Sequence, residues 1–275
     1  MPFTLIEGRF KPKVGVPDGD SVRFQANNSN LWRKLQGRSV ELGTGAETQN
    51  TVQLRFEGID AIEKGATKPL STQSRESMFN LIGFDEENNP EPTGYILSRM
   101  TDDSSGRPIC FVFAGNTNQQ DGSDVFLDPT MLRDCVNYQQ AQAGFAYPLY
   151  YNTLFANLRQ EFNVAIAQAK QNNLGYWPDD KTLEGVTVRS KNAIATIPPI
   201  WPKLWRRLEE FFRNANSVAG FIDFLEQRNE RIDIISIMEE RGLQDLVEVR
   251  GDTVRMTEPP ENLRVVGETG RRRTR

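Results

Sequence analysis

Between Val52 and Glu57 the chain alternates, with Val52, Leu54 and Phe56 facing one way and Gln53, Arg55 and Glu57 the other. That is the period-2 pattern of a half-buried strand. Gly58 breaks it, and Asp60 and Glu63 follow in an expected turn. Similar short runs over 3–10, 21–25, 94–100 and 107–114 predict four more strands, the last two joined by a polar hairpin loop at 101–106. Three stretches follow the helical period. Leu70 to Gly83 puts Met78, Leu81 and Ile82 on one face, with Ser71 or Thr72 as N-cap and Gly83 as C-cap. Asp128-Pro129 opens a second helix, with Leu132, Cys135 and Val136 as its stripe and Gly144 at its end. From 153 to 172, Phe155, Leu158, Phe162, Ile166 and Ala169 recur at core-facing spacing. Residues 26–50, rich in Asn, Gly, Ser and Gln, predict a surface loop tacked down by Trp32 and Leu35.

After residue 180 the pattern changes. Residues 181–200 read as a linker, so residues 1–180 are expected to fold by themselves. Trp201, Leu204, Trp205, Leu208, Phe211 and Phe212 then mark an amphipathic helix. Val218, Phe221, Ile222 and Leu225 suggest a second, and 232–241, closed by Gly242, a third. Leu246 to Met256 predicts a hairpin turning at Gly251-Asp252. Residues 201–257 thus form a C-terminal helical and hairpin module for a protein or nucleic-acid partner. A packing or interaction domain is favoured over a DNA-binding winged helix, because no helix there reads as having a basic face. Residues 258–275 end in Arg271-Arg272-Arg273-Thr274-Arg275, a basic tail expected to be disordered. The fold expectation is α+β: a five-stranded OB-type barrel with three helices, followed by the mainly helical C-terminal module.

Composition narrows the chemistry. The 275 residues contain no histidine and two cysteines. Histidine bases, Ser-His-Asp triads and four-ligand thiolate zinc sites are therefore excluded. A metal here must be bound by oxygen, which means calcium or magnesium. Cys110 and Cys135 sit among apolar residues and read as small buried hydrophobes. No 18-residue apolar run is present, and the first residues lack a signal-peptide pattern, so no membrane association and a cytoplasmic location are expected. Net charge is −4, and residues 1–180 carry 16 Lys and Arg against 22 Asp and Glu. Any nucleic-acid grip must then be local rather than a bulk attraction.

Candidate residues fall in three clusters: Asp18-Gly19-Asp20 in a turn, Arg55 with Asp60 and Glu63, and Gly106-Arg107 at the head of a strand. In that order and spacing they resemble the staphylococcal nuclease (thermonuclease) family. The resemblance runs on through Gly144-Phe145-Ala146, Tyr147, Tyr150, Tyr151 and Tyr176-Trp177, covering about residues 3–180. Ala61-Ile62 stands where the family usually has Thr-Pro, and Ser104-Ser105 where it often has Lys-Tyr. The resemblance implies calcium-dependent hydrolysis of DNA or RNA phosphodiesters. In that scheme Ca²⁺ is held by Asp20, Asp60 and the Ala61 backbone carbonyl, with Asp18 behind them. Arg55 and Arg107 grip the phosphate, Glu63 acts as general base, and Tyr150 contacts the substrate. The alternative is a module that keeps the barrel, has lost catalysis and binds nucleic acid or protein.

Overall fold

The computed structural model describes residues 2–267. In chain order the strands are β1 (Phe3–Phe10), β2 (Arg23–Ala26), β3 (Val52–Gln53), β4 (Arg55–Phe56), β5 (Gly58–Asp60), β6 (Thr93–Thr101), β7 (Pro108–Ala114), β8 (Asp124–Val125), β9 (Tyr147–Tyr151), β10 (Val186–Thr187), β11 (Arg231–Ile234), β12 (Glu239–Gly242), β13 (Val247–Arg250), β14 (Thr253–Met256) and β15 (Leu263–Val265). The helices are α1 (Lys68–Leu81), α2 (Pro129–Leu132), α3 (Val136–Gln142), α4 (Ala156–Gln171), α5 (Pro202–Phe211) and α6 (Phe221–Arg228). No helix among the described residues is long and apolar enough to cross a membrane.

The fold is mixed α+β around a nearly closed sheet of six strands in the order β3-β2-β1-β6-β7-β4, with β8 added along β1. Closure comes from one segment used twice. Residues 52–53 pair antiparallel with β2, while 55–56 pair parallel with β7. The expected single strand over 52–57 is thus split at Leu54, whose N–H reaches back to the Val22 carbonyl at 2.9 Å. Alternation holds as far as Phe56: Val52, Leu54 and Phe56 are buried, and Gln53 and Arg55 partly exposed. It fails at Glu57, which is expected to face outward and is buried at 6% exposure. Glu57 is the turn residue between β4 and β5, where the alternation is interrupted, and Asn137 of α3 holds the backbone there. Its amide donates to the carbonyls of Glu57 and Cys110 at 3.0 and 2.9 Å, and its carbonyl accepts from Val112 N–H at 2.9 Å, pinning the seam between β4 and β7.

Gly58 breaks the strand as expected: β4 ends at Phe56, and at φ +83°, with the Phe162 ring 2.7 Å from where a Cβ would lie, Gly58 bends the chain into β5, which pairs with β9. Asp60 is therefore a strand residue paired opposite Tyr147 of β9, not a turn residue. The helix predicted from Asp128 divides into α2 and α3, with Asp128 and Cys135 each capping one. α1 starts at Lys68, after Thr67, rather than at Ser71 or Thr72. Both cysteines are buried and free, as expected. Trp32 is buried against Phe24 and anchors the 26–50 excursion.

The C-terminal third departs further from its sequence reading. Residues 181–200 are not a loose connector, since Thr182, Val186, Val188, Ile194, Ile197 and Ile200 are buried. Trp201 is 1% exposed and donates its indole N–H to the Pro148 carbonyl at 3.0 Å. The predicted third helix over 232–241 is a hairpin: β11 pairs antiparallel with β12, and Met238 sits at the turn with φ +55°. Ile232 and Ile234 alternate with polar neighbours and bury one face, so period 2 wins over a weak helical spacing. Residues 263–265, expected within the disordered tail, form β15 and pair parallel with β9. One sheet, β12-β11-β15-β9-β5, therefore runs from the C-terminal segment into the strand carrying Asp60, and one continuous core includes both halves. The hairpin β13–β14 turns at Gly251-Asp252 as predicted. The arginine cluster 271–275 lies outside the described residues.

Candidate functional site

The Asp18-Gly19-Asp20 turn is fixed from behind. Gln140 of α3 donates to the Gly19 carbonyl at 2.8 Å and to the Ser74 carbonyl at 3.0 Å. A Cβ on Gly19 would lie 1.8 Å from the Ser74 hydroxyl, so only glycine lets the turn sit this close to α1. Asp18 accepts from the Ser21 hydroxyl at 2.6 Å. Asp20 stands beside Asp18, and its backbone carbonyl takes the Phe56 N–H at 3.0 Å, which ties the turn to the Arg55 strand. Burial, then the charges of Asp18 and Asp60, hold the Asp20 carboxyl well above the usual carboxylate range. Glu63 is also raised, chiefly by burial, with Arg206 opposing. Crowded carboxylates of this kind need a proton or a cation.

A cation is present, and it comes from the C-terminal segment. Arg206 of α5 grips Asp60 with two hydrogen bonds of 2.8 Å and reaches Glu63 at 2.7 Å. Burial acts against the charged guanidinium, but the Asp60 and Glu63 carboxylates outweigh it and hold Arg206 well above its ordinary range. The side chain is 29% exposed, and Asp60 only 5%. The helix was expected to lack a basic face, yet Lys203, Arg206 and Arg207 stand within one turn of it. That i, i+3, i+4 spacing is the signal that could have been read. Lys203 and Arg207 both pair with Glu230, at 2.8 and 2.7 Å, which draws that carboxyl down to about 2 despite its burial.

Arg55 joins the carboxylates to a neighbouring cleft. Its guanidinium donates to the Tyr151 hydroxyl at 2.9 Å and lies 5.2 Å from that ring's centre. The cleft has a volume of about 350 Å³ and lies between the barrel and the C-terminal segment. Arg55, Asp102, Tyr151 and Thr153 line one side, and Lys203, Arg207, Arg228 and Arg231 the other.

Two predicted site residues are not in this cluster. Tyr150 is 1% exposed, and its hydroxyl donates to Asn163 at 2.6 Å, so it is a core residue that cannot touch a substrate. Tyr151, one position on, faces the cleft instead, because strand neighbours point to opposite faces. Arg107 is turned onto its own loop, with its Nε 3.0 Å from Asp102. Although burial opposes it, hydrogen bonds from Ser105 and Arg107 hold the Asp102 carboxyl low.

The donor set suits a hard cation in kind, since only carboxylate and carbonyl oxygens are offered. In arrangement it is not ready-made. Among the described residues no three acidic, histidine or cysteine groups are placed to hold a metal ion, and both Asp60 oxygens are engaged by Arg206. Ala61, the proposed carbonyl donor, is 3% exposed directly after β5. No known family model matches the chain, and no curated protein matches it.

Proposed function

We propose that this chain is a phosphodiester hydrolase of the nuclease type, dependent on calcium, acting on DNA or RNA and built on an OB-type barrel. The observation that carries this reading is the convergence of Asp18, Asp20, Asp60, Glu63 and Arg55 at one end of the barrel. There burial, with the like charges of Asp18 and Asp60 added to it, pushes Asp20 upward and calls for added positive charge. Asp20, Asp60 and the Ala61 carbonyl are the groups that would hold calcium, which supplies positive charge where the phosphate gathers negative charge. Arg55 sits between the carboxylates and the cleft and can fork onto two phosphate oxygens, which lysine does less well. Burial raises the Glu63 carboxyl, which makes it a stronger base toward water than an ordinary carboxylate. Arg107 spends its Nε on Asp102 and lies outside the cluster.

The specific observation favouring the second reading, a binding module without catalysis, is Arg206. A guanidinium bidentate on Asp60 and bonded to Glu63 already balances part of the carboxylate charge. One experiment separates the two. Labelled DNA and RNA are incubated with the protein in calcium, magnesium or EDTA, beside Glu63→Gln. Cleavage in calcium that is lost in EDTA and reduced on the order of 10²-fold or more in the variant supports the hydrolase. Retention of labelled strands without cleavage under any metal selects the binding module.

A further inference from the structure

The cleft beside Arg55 has a second wall that the resemblance does not reach. Helix α6 ends at Asn229, whose left-handed conformation (φ +51°) turns the chain sharply into β11. The turn leaves Arg228 and Arg231 on the cleft, one on each side of Asn229 and Glu230. Arg228 uses one Nη on Glu210, and Arg231 its Nε on Glu240 at 2.7 Å. The other N–H groups of both guanidiniums have no hydrogen-bond partner among the described residues, and Arg228 also lies over the Phe224 ring at 5.9 Å. Their side chains are 35% and 41% exposed, open to a ligand from the cleft. Arg207 differs, because its Nε and both Nη groups are committed to Glu230 and Glu210.

The charge balance of this lining runs against that of the chain. Arg55, Lys203, Arg207, Arg228 and Arg231 face Asp102, Asp103 and Glu230, while the whole chain is at −4. The volume of about 350 Å³ is at the small end of the roughly 300–1,000 Å³ of small-molecule sites. That volume is of the order of one nucleotide unit of an unpaired strand and is too small to enclose a duplex segment. The opposite wall carries Tyr151 with the Arg55 guanidinium over its ring, 5.2 Å from the centre, a cation and an aromatic group of the kinds that hold a phosphate and a base.

We infer that the cleft between the barrel and the C-terminal segment binds unpaired nucleic acid, with Arg228 and Arg231 holding phosphates on either side of a nucleotide seated against Tyr151. This deepens the hydrolase reading by assigning single strands as its substrate class, and it rests on that reading only for the chemistry that follows binding.

The test measures fluorescence anisotropy of a labelled short poly-dT strand with full-length protein in EDTA, so that no cleavage intervenes. The parent should bind the strand, and a duplex of equal length should bind at least about tenfold more weakly. Arg228→Glu/Arg231→Glu should weaken strand binding by at least about tenfold. Arg228→Gln/Arg231→Gln should make the slope of log affinity against log salt shallower by roughly 1.4, about 0.7 for each lost single-strand contact. Both positions lie at the surface, and melting curves identify any variant that fails to fold; the Gln pair then carries the test. Equal binding by parent and variants, preference for duplex, or equal displacement of the strand by inorganic polyphosphate and by unlabelled strand would each overturn the assignment. Strand binding without cleavage in calcium removes the hydrolase and leaves this inference standing. Cleavage that ignores both arginines does the reverse.

Discussion

Removing Arg206 should separate its structural role from its cost to cation binding. Arg206→Met keeps the length of the side chain and deletes three charge-assisted hydrogen bonds, two to Asp60 and one to Glu63. Asp60 is 5% exposed, so its charge would be left in a poorly solvated place next to Asp20 and Glu63. Breaking a fully buried pair this way typically costs about 3–5 kcal/mol. Solvent reaches 29% of Arg206 and 31% of Glu63, which lowers the expectation here to about 2–4 kcal/mol in EDTA. For a chain of this size that corresponds to a drop in Tm of roughly 3–7 °C. Calcium should then restore much of the loss, since a ligand at about 100 times its Kd adds about 2.7 kcal/mol. It should also bind the variant at least about tenfold more tightly than the parent, because it no longer competes with a guanidinium for Asp60. The assay is thermal unfolding of parent, Arg206→Met and Arg206→Lys across a calcium titration, with isothermal calorimetry for affinity. Lysine should rescue partly, as a point charge cannot bridge both oxygens of Asp60. If Arg206→Met in EDTA loses under about 1 kcal/mol, the pair carries little energy. If its calcium affinity also matches the parent's, the competition argument fails.

Three other outcomes follow from particular contacts. Glu57 is buried, its Oε1 has no hydrogen-bond partner among the described residues, and burial pushes its carboxyl up to about 7. The folded protein thus holds a proton that the unfolded chain releases near the ordinary value of 4.5, so this group's contribution to stability falls as pH rises through about 4.5–7. Glu57→Gln should raise stability by up to about 3 kcal/mol at pH 8 and hardly at pH 4 by urea unfolding; a gain independent of pH would refute the protonation argument. A chain ended at Asp180 should lose cooperative melting and bind a hydrophobic dye, because it lacks Trp201, α5 and β15; a sharp melt at the parent's Tm would show that the barrel stands alone. Gly19→Ala should cost roughly 1–3 kcal/mol in urea unfolding through the clash with Ser74, and an unchanged midpoint would mean that the turn can relax away from α1.

Much of the barrel was legible in the sequence because its signals are local. β1 was expected at its observed limits, and in α4 Leu158, Phe162, Ile166 and Ala169 are buried as their spacing requires, while Phe155, expected with them, caps the helix and is exposed. Gly83 and Gly144 take the positive φ that a helix end asks of glycine. The motifs around Asp18, Asp20, Arg55, Asp60 and Glu63 also pointed to one place before any fold was known. Tertiary structure alone decided what those residues meet. Arg206 lies 146 residues from Asp60 and 143 from Glu63, beyond any window in which periodicity can speak. Glu57 is buried at the turn between β4 and β5, and Asn137, 80 residues away, pins its carbonyl at the barrel seam. Tyr150 and Tyr151 are adjacent and alike in composition, yet strand pleating buries one and gives the other to the cleft. Alternation and helical spacing record which side of an element is apolar. They do not record which distant element covers it, and that pairing set the charge balance of this site.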